Sequence, residues 1–250
     1  MNNIPFNSYG DYRLEVKGGF GTEVSTQRCD DLDSITLRDI HDICSNTREP
    51  LYALDLACGH GGQAVRMIKA GTTCVYALDL MDYQQEIAEA VKREHIEPDA
   101  LHFIRGGFTE LSHILPSDTQ FDFISCQRAL HYLPFPEAVN VLKTLKDHST
   151  ENTRLYISVS GLYGEEGEHY PHADKSVEER FILLDEPMRS KQNAQHPLCL
   201  YNEDDVRKLL QQSGWEPAEI YTSPFGTIKV AAKNNLAPHP VARSVPHFDV

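Results

Sequence analysis

A chain of 250 residues, 40% of them hydrophobic, can bury a substantial core and suits one large α/β domain or one domain carrying an insertion. Its formal charge of −14, 23 basic minus 37 acidic residues, argues against a bare polyphosphate backbone as partner and leans toward a small or cationic substrate. No apolar stretch approaches the roughly 20 residues that cross a bilayer, and the six cysteines show neither a CxxC pair nor metal-ligand spacing, so a cytoplasmic protein with reduced thiols and no metal is expected.

In chain order, residues 30–44 place apolar side chains at helical spacing, with Asp33 or Ser34 available as a cap. Short apolar runs at 51–56, 73–78, 101–105, 121–126 and 154–159 then read as strands. Segments 62–69, 83–93 and 137–147 between them read as helices. This alternation predicts right-handed βαβ units and a doubly wound, mainly parallel sheet with helices on both faces.

Residues 161–195 break the alternation and are acidic and irregular. They read as an insertion leaving the carboxyl edge of the sheet, where it forms either a substrate lid or a solvated loop. Asn202–Asp205 offers a capping box for a helix over 206–212, and Gly214 can stop it. Residues 216–223 and 226–233 read as an antiparallel hairpin, giving seven strands in all. The expected organisation is one domain over residues 1–233 and a tail over 234–250.

The stretch "LDLACGHGG", residues 54–62, is the chemical centre of the chain. A phosphate-binding loop would need a lysine and a hydroxyl that are absent. A dinucleotide turn fits the pattern Gly59-His-Gly61-Gly-Gln-Ala64, with Asp79 following Gly59 by 20 residues. The carboxylate of Asp55 would repel a pyrophosphate there, whereas a ligand carrying an ammonium group would use it.

Residues 53–61, Ala-Leu-Asp-Leu-Ala-Cys-Gly-His-Gly, resemble the first motif of class I S-adenosylmethionine-dependent methyltransferases of the type 11-like kind, with Ala57 in place of the first glycine. The resemblance covers about residues 50–233 and implies a Rossmann-like fold with S-adenosylmethionine as cofactor. Asp55 would then favour the cofactor's amino group while Ala57, Gly59 and Gly61 wrap its methionine part. Asp79 would accept hydrogen bonds from the ribose hydroxyls, and Leu80 would flank the adenine. Where the family often carries Gly-Asp-Ala, this chain has Arg105-Gly-Gly107-Phe108. Phe108 either stacks on the adenine or packs in the core.

"FDFISCQRALHYL", residues 121–133, resembles the family's fourth motif, which places Gln127 nearest the transferring methyl. Its Ser-Cys-Gln and His-Tyr elements also resemble mRNA cap guanine-N7 methyltransferases, although Arg128 stands where an apolar or aromatic residue is usual. His131 is the first candidate for a general base or an orienting group, because a histidine titrates near neutrality, and Tyr132 is the candidate for positioning the acceptor. Arg28 could reach the cofactor carboxylate, Tyr9 and Tyr12 could close over the site, and His169 with His172 makes at most half a metal site.

The function expected is in-line methyl transfer to a small-molecule acceptor, without membrane or nucleic acid, in a monomer or a homo-oligomer. The alternatives are methylation of a nucleobase or protein side chain, a catalytically silent cofactor-binding partner, and, more distantly, a dehydrogenase.

Overall fold

The computed structural model describes residues 14–234. Its centre is a parallel array built from β3 (Tyr52–Leu56), β4 (Cys74–Asp79), β5 (Leu101–Arg105), β6 (Phe121–Gln127) and β7 (Ser149–Val159). Two C-terminal strands, β8 (Trp215–Thr222) and β9 (Ile228–Asn234), complete a seven-stranded sheet in the order β5-β4-β3-β6-β7-β9-β8. The pairs β3–β4, β4–β5, β3–β6 and β6–β7 are parallel, while β9 lies antiparallel to both β7 and β8. The expected doubly wound sheet with a reversed hairpin is therefore what the chain forms.

Period-two alternation splits the strand residues between two cores. Leu54, Leu56, Tyr76, Leu78, Ile124 and Cys126 point to one face, where α4 (Leu111–Ile114), α5 (Phe135–Asp147) and α7 (Glu203–Ser213) cover them. Ala53, Val75, Ala77 and Phe123 point to the other, beneath α1 (Asp31–Cys44), α2 (Gly62–Ala70) and α3 (Gln84–Arg93). Capping fixes where two of these helices begin. The side chains of Asp30 and Asp33 each accept the other's backbone N–H at the start of α1, and Asn202 with Asp205 does the same for α7, which ends at Gly214 in the left-handed region.

Two features have no counterpart in the sequence reading. A short antiparallel hairpin, β1 (Leu14–Glu15) with β2 (Thr22–Glu23), lies over the carboxyl edge of the sheet. Lys17 holds one side of it, donating to the Asp82 carbonyl at 2.8 Å and to Glu86 at 2.6 Å. On the other side Gly21 N–H donates to the Asn193 carbonyl at 3.0 Å and Gln195 N–H to the Gly19 carbonyl at 2.9 Å. The second feature is a small separate core of Leu162, Tyr170, Leu184, Met188, Leu198 and Leu200. It organises the segment after β7 around α6 (Glu186–Gln192).

Asn234, the first residue of the expected tail, closes β9, and its side chain donates to the Thr150 carbonyl at 2.9 Å. Residues 235–250, like Tyr9 and Tyr12, lie outside the described residues.

Candidate functional site

Strand order reverses between β3 and β6, so the crevice expected for a ligand lies at their carboxyl ends. The glycine turn fills one wall of it. Ala57 (φ 55°), Gly59 (φ 52°) and Gly61 (φ 79°) all take left-handed backbone, and Gly61 then caps α2. A side chain on Gly62 would stand 2.5 Å from the Ser25 carbonyl oxygen, so the strand-to-helix turn packs directly on the backbone after β2.

Asp79 ties this turn to the end of β4. One carboxylate oxygen accepts Gly59 N–H and the other accepts Met81 N–H, both at 2.9 Å. Burial raises the Asp79 pKa above its usual value while the Met81 and Gly59 bonds oppose the rise.

A cavity of about 340 Å³ opens against these groups. Ala57, Gly59, Asp79, Leu80 and Gly107, all candidate cofactor residues from the sequence, line it. Leu80 is 50% exposed, an apolar side chain held at the cavity rather than in the core. Phe108 lines the cavity and also packs against the larger core. Gln127 lines it too. Its Nε2 donates to Asp33 Oδ1 at 2.5 Å, and its Oε1 is buried with no partner among the described residues.

Asp55 and Gly61 do not line this cavity. Asp55 is 4% exposed at the end of β3 and accepts a hydrogen bond from the Ala64 backbone, and its Oδ2 has no partner among the described residues. Burial first, then the charge of Asp33, pushes its carboxyl up to about 7 against the pull of Arg66. Asp55, expected to favour a ligand ammonium, thus lies beneath the turn rather than on the cavity wall.

Besides Asp79, the carboxylate that lines the cavity is Glu23, on β2. It is 5% exposed and accepts from Ser25 Oγ, from Thr26 N–H at 3.0 Å and from Thr26 Oγ1. It stands opposite the turn, since a Cβ on Gly59 would lie 3.5 Å from its Cγ. The signal that could have revealed it is the acid-x-Ser-Thr run in "GTEVSTQRC", in which the hydroxyls fold back on the acid. Arg28, in the same run, lines neither this cavity nor the next.

A second cavity, about 350 Å³, adjoins the first and shares Phe20, Thr22, Val24, Arg128 and Tyr132 with it. Its remaining wall comes from the segment after β7 and from the turn between β8 and β9. Tyr132 meets Phe20 edge-on, with ring centroids 5.3 Å apart. Burial, reinforced by the charge of Glu166, raises its phenol, so Tyr132 is an un-ionised hydroxyl here.

His131 lines the second cavity but not the first, and its environment differs from what a general base needs. It is 4% exposed, its Nδ1 accepts Ser160 N–H at 3.3 Å, and its carbonyl accepts Cys199 N–H at 2.8 Å. Burial, then the nearby guanidinium of Arg128, lowers its pKa to about 3. A neutral ring accepting at Nδ1 carries its proton on Nε2, which is then a donor and not a base.

A polar network anchors α1 behind both cavities. Asp30 accepts from Lys229 Nζ at 2.9 Å and pairs with Arg128 at 3.4 Å, while Asp33 pairs with Arg66 at 3.5 Å. Burial works against the charge of Asp30, but the Asp33 N–H, Lys229 and Arg128 together hold it below its usual range. Burial and Asp30 raise Asp33.

No group of three metal-ligating side chains occurs among the described residues, and none of their helices is long and apolar enough to cross a membrane.

A doubly wound sheet with a reversed terminal hairpin, and a left-handed glycine turn facing an acid at the end of the next strand, defines the class. The chain matches the methyltransferase-domain family over residues 31–220 and belongs to it. The mRNA cap guanine-N(7) methyltransferase of Schizosaccharomyces pombe is 33% identical over 86 residues, which are 33% of this chain. The chain thus spans about a quarter, 24%, of that protein's length.

Among solved structures, magnesium protoporphyrin IX methyltransferase from Synechocystis PCC 6803 with bound SAM superposes with a TM-score of 0.53 at 17% identity, covering 81% of this chain and 77% of that one. The 1,6-didemethyltoxoflavin-N1-methyltransferase of Burkholderia thailandensis, with its acceptor and S-adenosylhomocysteine bound, gives 0.55 at 18%, covering 80% and 78%. These likenesses establish a shared fold, and the protein is by family a methyltransferase.

Proposed function

We propose that the protein transfers a methyl group from S-adenosylmethionine to a small molecule, with the cofactor in the first cavity and the acceptor in the second. The observation that carries this reading is their adjacency: two cavities of about 340 and 350 Å³ meet across Phe20, Arg128 and Tyr132.

The first cavity's donor set fits the cofactor. Asp79 keeps free lone pairs after accepting two backbone N–H groups and would take the ribose hydroxyls. Leu80 and Phe108 would flank the adenine, and the Glu23 carboxylate, with the Asp55 carboxyl beneath the turn, would favour the amino group. The unpartnered Gln127 Oε1 supplies a further acceptor at the end of β6.

When bound, the cofactor supplies a methyl activated by its sulfonium. The chain's task is then to hold an acceptor in line and keep water out. Phe20, Val24 and Tyr132 form an apolar partition between the cavities, and the Tyr132 hydroxyl and the His131 Nε2–H can orient an acceptor. Gly161, Glu166 and Gln192 of the segment 161–195 line the second cavity, a volume that suits a small acceptor. The unpaired cysteines suit a reducing compartment such as the cytoplasm.

A nucleobase acceptor is the second reading, favoured by the 86-residue likeness to a cap methyltransferase. Incubation with methyl-labelled cofactor and fractionated lysate separates the two. Label should enter the small-molecule fraction. Label confined to RNA or protein would overturn the small-molecule reading, and tight cofactor binding with no label in any fraction would identify a silent binding protein.

A further inference from the structure

The second cavity carries one charge that the chain leaves uncompensated. Of its charged side chains, Arg128 is paired with Asp30, and Glu165 is held by Lys191 and by Gln192 at 2.7 Å. Glu166 differs. It lies in the short 3-10 turn Glu165–Gly167, partly buried, and its carboxylate accepts the Ser160 hydroxyl. It has no ion pair among the described residues. Burial pushes the Glu166 carboxyl above its usual range despite the Ser160 bond, and the neighbouring Glu165 charge adds to the rise. A cation placed in this cavity would relieve that cost.

The aromatic side chains of the same cavity point to the same chemistry. Phe20 and Tyr132 form its inner wall, and Tyr163 (85% exposed) and Phe225 (46% exposed) stand at its rim, large rings that the core does not use. A ring face attracts an ammonium group, and a partly desolvated carboxylate pairs with it through a charge-assisted hydrogen bond.

We propose that the methyl acceptor is an amine-bearing small molecule whose ammonium group pairs with Glu166 while its apolar body lies against Phe20, Tyr132, Tyr163 and Phe225. The proposal rests on the assignment of the second cavity to the acceptor. It does not require the amine to be the atom that receives the methyl. Glu166 lines only the outer cavity, and the reacting atom belongs at the junction beside Arg128 and Tyr132. Arg128 would disfavour a cation if its charge were free, but it is one of three cations, with Lys229 and Arg66, set among Asp30, Asp31 and Asp33.

Calorimetry on the intact protein tests the idea with isosteric probes of opposite charge. Binding of S-adenosylhomocysteine is measured first, and its failure would sink the proposed function itself. With that ligand saturating, tryptamine and phenethylamine should bind, whereas indolepropionate and hydrocinnamate should bind about tenfold more weakly or worse. Glu166→Gln should abolish this preference while leaving affinity for S-adenosylhomocysteine within about twofold, since Glu166 lies outside the first cavity. Acids that match or exceed the amines would overturn the proposal and hand the site to Arg128. Retention of the preference by Glu166→Gln, or no amine binding to a protein that does bind S-adenosylhomocysteine, would also overturn it. The comparison of probes on the unaltered protein stands even if the variant folds poorly.

Discussion

Asp79→Asn separates the two tasks that the geometry gives this side chain. The carboxylate satisfies Gly59 N–H and Met81 N–H with separate oxygens, each at 2.9 Å. An amide of the same shape keeps one oxygen and turns an NH2 toward the other N–H, and one orphaned buried donor costs about 1–3 kcal/mol of folding stability. Toward a ligand the change removes the charge and one acceptor. Hydrogen bonds to charged groups contribute about 1.5–3 kcal/mol, so a loss of about 2–3 kcal/mol, roughly 30- to 150-fold in affinity, is expected. Isothermal titration with S-adenosylhomocysteine reads the second number, and urea unfolding of the ligand-free protein reads the first. If stability falls while affinity stays within about threefold, Asp79 is a strut for the turn and the ribose assignment is wrong.

Three further outcomes follow from the same coordinates. Asp55 is a neutral acid in the fold with a pKa of about 7, against 3.8 as the reference value. Between these values the unfolded chain releases its proton first, so ligand-free stability falls as pH rises, by up to about 4 kcal/mol for this group. Asp55→Asn should flatten that slope in urea melts between about pH 4 and pH 7, and an unchanged slope would show that Asp55 is not its source. Ala57→Gly relieves a left-handed alanine costing about 1–2 kcal/mol, offset by about 0.4–1 kcal/mol of added freedom in the unfolded chain. The melting midpoint should therefore rise slightly, and a fall would mean that the Ala57 methyl packs more than it strains. His131→Gln should leave the shape of the pH–rate profile above about pH 5 unchanged even where the rate drops, because the ring is already neutral there. Loss of an inflection near pH 6.5 in the variant would restore His131 as a base.

The parallel core was legible because strands buried on both faces read as unbroken apolar runs, and each of 51–56, 73–78, 101–105 and 121–126 lies within about a residue of a real strand. β7 was legible only in its second half. Its first residues, Ser149–Thr153, are polar, and they join the sheet through the register shift between Phe121 and Phe123 rather than by pattern. The hairpin over the crevice gave no local signal, because its two-residue strands are held by partners such as Asn193, 172 residues away. Glu23 was missed for the same reason, and sequence spacing could not tell that Asp55 sits on the underside of the turn rather than on its lining. The segment after β7 builds its core from widely spaced residues between turns, where neither a period of two nor one of 3.6 applies.

The crevice itself comes from a symmetry between the two central strands. β3 and β6 are register neighbours up to Leu56 opposite Cys126, and just beyond, each strand leaves the sheet near a non-glycine residue in the left-handed region, Ala57 and Arg128, both at φ 55°. The exits diverge. Cys58 N–H bonds back to the Leu78 carbonyl of β4, whereas Arg128 N–H bonds to the Ser158 carbonyl of β7, on the opposite side. Two adjacent strands whose chains turn away from each other must leave a gap between them, which is the physical content of a topological switch point. Backbone strain of roughly 1–3 kcal/mol at each exit persists because the surroundings over-determine it. At Ala57 the Gly59–Asp79 hydrogen bond does this, and at Arg128 the Asp30–Lys229 network does. The same bonds that hold the strain place Asp79 on one wall of the first cavity and Arg128 on the boundary with the second, so the geometry that opens the crevice also positions the side chains proposed to meet cofactor and acceptor.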